Sequence, residues 1–163
     1  MPSFYPLQLP CLRFYQIYDS GLKALSRGLS HCTNLGVLCL FSCGVSETGA
    51  AALGDVLHNC TALTELHINR NLIMDSGLEA LSRGLSHCTN LNVLSLSWCG
   101  VTESGAAFLG ERLHNYTSLT ELDISFNKIQ DHGLVLLARG LCRWLPSPCP
   151  RRRFPPWANR SHR

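Results

Sequence analysis

The sequence predicts a right-handed α/β solenoid, with a parallel sheet on the concave face and helices on the convex face, and three observations carry that expectation. The first is an internal repeat: Asp19–Met74 and Asp75–Gln130 are identical at 39 of 56 positions, and a third copy opens at Asp131 with DHGLVLLARGL. The second is a 28-residue unit inside each copy, marked by the strand signature Leu-x-x-Leu-x-Leu-x-x-(Asn/Cys)-x-aliphatic. The third is an apolar stripe after each signature, with residues at i, i+3 and i+7, the period of one helix face. A strand and a helix repeated at this spacing form a unit that buries its apolar side only against its neighbours, which makes a solenoid.

Taken in order, the chain opens on MPSFYPLQLPCLRFYQIYDS, where Leu7, Leu12 and Ile17 fit a degraded repeat and Pro10 and Tyr15 stand where Leu and Cys/Asn belong. Residues 1–18 are therefore either that repeat or a disordered lead. The four full signatures run Leu35, Leu38, Leu40, Cys43, Val45; Leu63, Leu66, Ile68, Asn71, Ile73; Leu91, Leu94, Leu96, Cys99, Val101; and Leu119, Leu122, Ile124, Asn127, Ile129. They predict strands near 36–41, 64–69, 92–97 and 120–125. Leu22, Leu25 and Leu29 begin the helical stripes, repeated at Leu78, Leu81, Leu85 and at Leu134, Leu137, Leu141; Ala50, Leu53, Leu57 and Ala106, Leu109, Leu113 serve the alternate units. The helices are expected near 20–30, 48–59, 76–87, 104–115 and 132–142. Asp19, Glu47, Asp75, Glu103 and Asp131 each open one, where the unpaired N–H groups and the helix dipole favour negative charge. The solenoid spans 19–142, and residues 143–163 form a Pro/Arg-rich segment with none of the repeat's periodicity, expected to be disordered.

These motifs resemble the ribonuclease-inhibitor-like class of leucine-rich repeat, which also occurs in NOD-like receptors and in the Ran GTPase-activating protein. The alternation Cys43, Asn71, Cys99, Asn127 matches the Cys-type and Asn-type units of that class. The resemblance covers residues 19–142 and implies the horseshoe fold, with the Asn71 and Asn127 amides bonding neighbouring backbone. It leaves the partner open, because the fold carries many kinds of binding surface. No GxxxxGK[ST] loop is present, so the nucleotide-driven assembly of NOD-like receptors does not carry over.

With 45% hydrophobic and 15% charged residues in 163, the chain has the composition of one globular domain. It contains no apolar run long enough for a membrane span, and prolines interrupt an N-terminus that lacks a basic lead-in, so no secretory signal is expected. The formal charge of +3 is unevenly placed: six arginines and no acid lie in 143–163, which leaves −3 on residues 1–142. That balance argues against nucleic acid or a membrane surface as partner. The run Arg151–Arg153 reads as a nuclear-import or anionic-surface contact, or as part of a solvated tail or chance extension. Nine cysteines without a CxxC pair point to reduced thiols in the cytoplasm rather than to disulfides or zinc. The sequons at Asn59, Asn115 and Asn159 read as by-products of the repeat and the tail.

Stacking the units turns positions into columns about 4.8 Å apart. Cys39, His67, Ser95 and Asp123 form one outward-facing column whose residue types are those of a nucleophile–base–acid triad. Asp123 lies two strands from His67, roughly 9–10 Å away, too far to orient the imidazole, and no oxyanion hole is evident. Cys32, Cys60, Cys88 and Tyr116 form a second column, expected to seal the turns as buried apolar groups.

The two 56-residue copies differ at 8 of the 12 exposed positions of the strand signatures and at only 9 of the other 44. Divergence concentrated on one face points to a binding surface shaped apart from the scaffold. Its sharpest feature is the column Arg70, Trp98, Phe126, because Trp and Arg concentrate binding energy at interfaces. The expected partner-binding set is Phe41, His67, Asn69, Arg70, Ser95, Ser97, Trp98, Asp123, Ser125 and Phe126. The sequence thus predicts a monomeric protein-interaction module without catalytic residues, metal or cofactor. The rival is a regulator of an enzyme, either a nuclease inhibitor or a GTPase activator, as other branches of the resembled class are.

Overall fold

The computed structural model describes residues 7–8, 12 and 15–144. Five strands and five helices alternate: β1 (Leu7–Gln8), α1 (Tyr18–Leu29), β2 (Leu35–Cys39), α2 (Glu47–Leu57), β3 (Glu65–His67), α3 (Met74–Leu85), β4 (Val93–Ser95), α4 (Glu103–Arg112), a 3₁₀ turn (Leu113–Asn115), β5 (Glu121–Asp123) and α5 (Asp131–Trp144). The strands make one parallel sheet in chain order, with Leu38 beside Leu66, Leu66 beside Leu94 and Leu94 beside Leu122. From β2 to β5 each step along the sheet is 28 residues, so one residue of every unit meets its own equivalent in the next, while the β1–β2 pairing shifts by one residue at Gln8. The fold is the solenoid the sequence predicts.

Three of the strands are only three residues long, shorter than the signature suggests, because the chain bends into a turn soon after the second inward leucine. Leu38, Leu66 and Leu94 are fully buried and join Leu53, Leu81 and Leu109 in one continuous core between sheet and helices. At the first unit, Leu7–Gln8 pair with β2 and Leu12 N–H donates to the Cys39 carbonyl, so both extend the sheet by one edge. The expected tail falls outside the described residues beyond Trp144, and α5 runs two residues past the predicted end of the solenoid.

The turns are held as the Asn/Cys alternation implies. The Asn71 amide donates to the Leu40 and Ile68 carbonyls at 2.8 and 2.7 Å, while its Oδ1 accepts from the backbone N–H of Cys43 and Val45. Asn127 repeats the pattern one 56-residue period later. Cys99 fills the alternate site, its thiol donating weakly to the Ile68 carbonyl at 3.5 Å.

Three expectations are corrected. Among the acids at the helix starts, Asp19 and Asp75 act on the following unit: Asp19 accepts from Ser46 N–H, Ser46 Oγ and Thr48 Oγ1, capping α2, and Asp75 accepts from Thr102 N–H and Oγ1 at the start of α4. Leu134 is 57% exposed although its equivalents Leu22 and Leu78 are buried, because α2 and α4 cover those two and no described helix follows α5. Cys39, expected to face outward, is buried.

The helices approach one another unequally. A Cβ on Gly84 would collide with the Gly54 carbonyl oxygen, and one on Gly140 with that of Gly110, so α2–α3 and α4–α5 meet backbone to backbone. Gly28, at the same place in α1, has nothing within 4 Å among the described residues.

Candidate functional site

As the chain leaves each strand, one residue per unit takes the left-handed conformation: Ser42, Arg70, Trp98 and Phe126 have φ of 54°, 58°, 55° and 56°. The turn is periodic because its backbone bonds are periodic, with Ser42 N–H on Asn69 O, Arg70 N–H on Ser97 O and Trp98 N–H on Ser125 O. A left-handed non-glycine residue costs about 1–2 kcal/mol, and for bulky side chains the conformation is rare. Three of these four positions nevertheless carry Arg, Trp and Phe.

Their side chains form a ladder along the rim. The Trp98 and Phe126 rings stack at 4.9 Å between centroids, inclined by 16°. The Arg70 guanidinium carbon lies 5.8 Å from the Trp98 ring and 5.8 Å from the Phe41 ring, so the cation bridges two aromatics. The ladder is not core: Trp98 is 51% and Phe126 70% exposed. Beside it Ser42, Arg70, Asn71, Leu72 and Trp98 line a shallow hollow of about 340 Å³, and Leu72 is 68% exposed.

The floor of the face lies one step back along the strands. Register places Cys39, His67, Ser95 and Asp123 in one row, and Val37, Glu65, Val93 and Glu121 in the row before it. His67 lies between Ser95 Oγ at 3.3 Å and Glu65 Oε2 at 3.1 Å. Asp123 accepts from both the N–H and the Oγ of Ser125 through Oδ1, so it holds its own turn and does not orient the imidazole. Ser95 and Ser97 are nearly covered, since short side chains sit low on the sheet, Ser95 between the longer His67 and Asp123. Of the residues singled out from sequence, Arg70, Trp98 and Phe126 come together with Phe41. His67, Asn69, Asp123 and Ser125 lie alongside, and Ser95 and Ser97 offer little surface.

Three residues of this face escaped the sequence reading. Leu72 is a further exposed apolar group, beside the ladder. Glu65 and Glu121 flank the floor but are identical in the two copies, so a criterion built on divergence passes over them. Their position two residues before His67 and Asp123, on the same side of each strand, is the signal that finds them.

Five of the described thiols, Cys39, Cys43, Cys60, Cys88 and Cys99, are buried. Burial pushes Cys43 and Cys60 up to about 11 and Cys88 and Cys99 up to about 12. The Cys88 thiol donates to the Leu57 carbonyl, and in the last unit of that column Tyr116 is buried with its hydroxyl donating to the Ser82 carbonyl at 3.1 Å. Cys32, at the open end of the column, is only half-buried. Among the described residues, no group of three or more His, Cys, Asp and Glu could hold a metal ion, and no helix is long and apolar enough to cross a membrane.

The leucine-rich repeat family profile matches residues 59–82, 87–110 and 116–138. The chain carries leucine-rich repeats. Those matches span β3 to α5, the units that build the Arg70–Trp98–Phe126 ladder. No curated protein matches the chain. Among solved structures, Leiomodin-1 Actin-Binding Site 2 (ABS2) superposes with a TM-score of 0.60 at 17% identity, over 86% of this chain and 84% of that one. At that identity the likeness is one of leucine-rich-repeat fold.

Proposed function

We propose that this leucine-rich-repeat solenoid is a non-catalytic module that binds a protein partner through its concave face and the adjoining rim. The observation that carries the proposal is the exposed ladder of Arg70, Trp98 and Phe126 on left-handed backbone. Glycine or asparagine would suit that backbone better, and a structural role would bury the rings. Large, rigid, half-exposed aromatics beside an arginine are what a partner uses as anchors.

A catalytic reading has less support: Asp123 is turned into its own strand end, and although Glu65 reaches the imidazole, the Ser95 hydroxyl on its other side is nearly covered. The solved neighbour's name places actin on that protein; here the likeness supports a protein partner as a class, without favouring actin. The alternation of Cys43, Asn71, Cys99 and Asn127 supports placing the repeats in the ribonuclease-inhibitor-like class, and buried thiols suit a reducing compartment.

The test compares full-length wild type and Trp98→Gly as baits, with quantitative mass spectrometry of the captured proteins. Relief of the left-handed strain, about 1–2 kcal/mol, offsets the lost ring stacking, about 0.5–1.5 kcal/mol. The variant should therefore melt near the wild type. A genuine partner should bind it at least about 30-fold more weakly, the loss of an anchor worth about 2 kcal/mol. Capture of the same proteins by both baits would refute the reading.

A further inference from the structure

We propose that the concave floor takes an arginine or lysine side chain from an extended protein segment, and that a neighbouring apolar side chain of the same segment enters the hollow beside Trp98 and Leu72. The inference rests on the binding reading above and names the chemistry of the partner.

Charge is the first argument. Strands β2 to β5 carry Glu65, Glu121 and Asp123 and neither lysine nor arginine. All three carboxylates keep capacity for a cation. Glu121 is exposed, and its carboxylate has no hydrogen bond or ion pair among the described residues. Asp123 uses only Oδ1 within its turn. The Glu65 side chain is 43% exposed and touches one imidazole nitrogen. The cations that follow these strands in sequence, Arg70 and Lys128, lie beyond the strand ends, and the Arg70 guanidinium is already held between Phe41 and Trp98.

Shape is the second. In their row Glu65 and Glu121 flank Val93. They stand about 10 Å apart, two strand spacings. Val93 thus offers an apolar bed for the methylene stem of a long cationic side chain, with a carboxylate on either side of its head. An acidic segment or a nucleic acid would instead meet three like charges.

Spacing is the third. Val93, in the bed, and Trp98, on the hollow, are five positions apart in the chain, at most about 17 Å and less because the backbone turns at Trp98. A partner segment running along the strands would then place its cation and its apolar anchor about three to five residues apart.

The experiment uses the full chain as bait for phage-displayed random dodecapeptides, followed by affinity measurements on the enriched peptides. The expected motif is Arg or Lys three to five residues from Leu, Phe or Trp. Affinity should fall at least about tenfold between low salt and 0.5 M salt, where such contacts are screened. It should fall about fivefold or more with Glu121→Gln, whose exposed side chain leaves the melting temperature unchanged, and it should be lost with Trp98→Gly. Enrichment of acidic or uncharged peptides, or of basic ones that bind Glu121→Gln as well as wild type, would overturn this inference. If those peptides still need Trp98, the binding reading survives it. Recovery of no peptide that depends on Trp98 would overturn both.

Discussion

Gly28 and Gly84 sit in the same heptapeptide, LSRGLSH, one 56-residue period apart, and replacing each with alanine should move stability in opposite directions. At Gly28 the added methyl meets nothing within 4 Å among the described residues. The change there acts through the helix alone and should stabilise by about 0.5–1 kcal/mol, since alanine has less backbone entropy to lose. At Gly84 the methyl would run into the backbone carbonyl oxygen of Gly54, and the next two nearest atoms, the Gly54 carbonyl carbon and Cα, are also backbone, 2.9 and 3.1 Å away. No rotamer change relieves a clash with backbone, so α2 and α3 must separate. Overpacking costs about 1–3 kcal/mol, and the upper end applies here. For a chain of this size each kcal/mol moves the melting temperature by about 2–4 °C. Calorimetry on the full chain should therefore show Gly28→Ala about 1–4 °C above wild type and Gly84→Ala about 6–12 °C below it. Equal shifts for the two variants would show that the α2–α3 seam is not closed at these glycines.

Asn71→Ala should cost at least about 3 kcal/mol, because it strands the Leu40 and Ile68 carbonyls and the Cys43 and Val45 N–H groups together; denaturant unfolding with an unchanged midpoint would contradict this. Partial burial works to raise the Asp19 carboxyl, but the hydrogen bonds from Ser46, Thr48 and Gly49 outweigh it and hold the group below its ordinary 3.8. Its contribution should be present above that value and fade as pH falls through the lowered one, and Asp19→Ala should cost about 1 kcal/mol at neutral pH and almost nothing in acid. The buried thiols run the other way: unfolded thiols ionise near 9.0, while folded Cys43, Cys60, Cys88 and Cys99 hold their protons to about 11–12, so stability should decline as pH rises from 9. Alkylation at pH 8 followed by peptide mapping should label exposed Cys142 quickly and those four slowly; equal rates would overturn their burial.

The strand signature and the leucine stripes were enough to predict the solenoid, its unit length and the order of its elements, because both periods are local consequences of backbone geometry and each unit packs only on its neighbours. The same logic made the Arg70–Trp98–Phe126 column legible, since residues 28 apart must be adjacent once the strands are parallel and in register. What sequence could not show is what each element meets. Ser-Arg-Gly-Leu reads alike at Gly28 and Gly84, yet only the second abuts a neighbouring backbone. Leu22 and Leu134 occupy one helical position, yet only the first has a described helix beyond it. Asp19 reads as a cap for its own helix, yet its carboxylate reaches across the repeat interface to Ser46 and Thr48. Glu65 and Glu121 drew no notice because they do not vary, and the register of parallel strands alone sets them around Val93. A repeat determines its own shape from its own residues, whereas burial, capping and charge at a site belong to pairs of repeats and arise only when they stack.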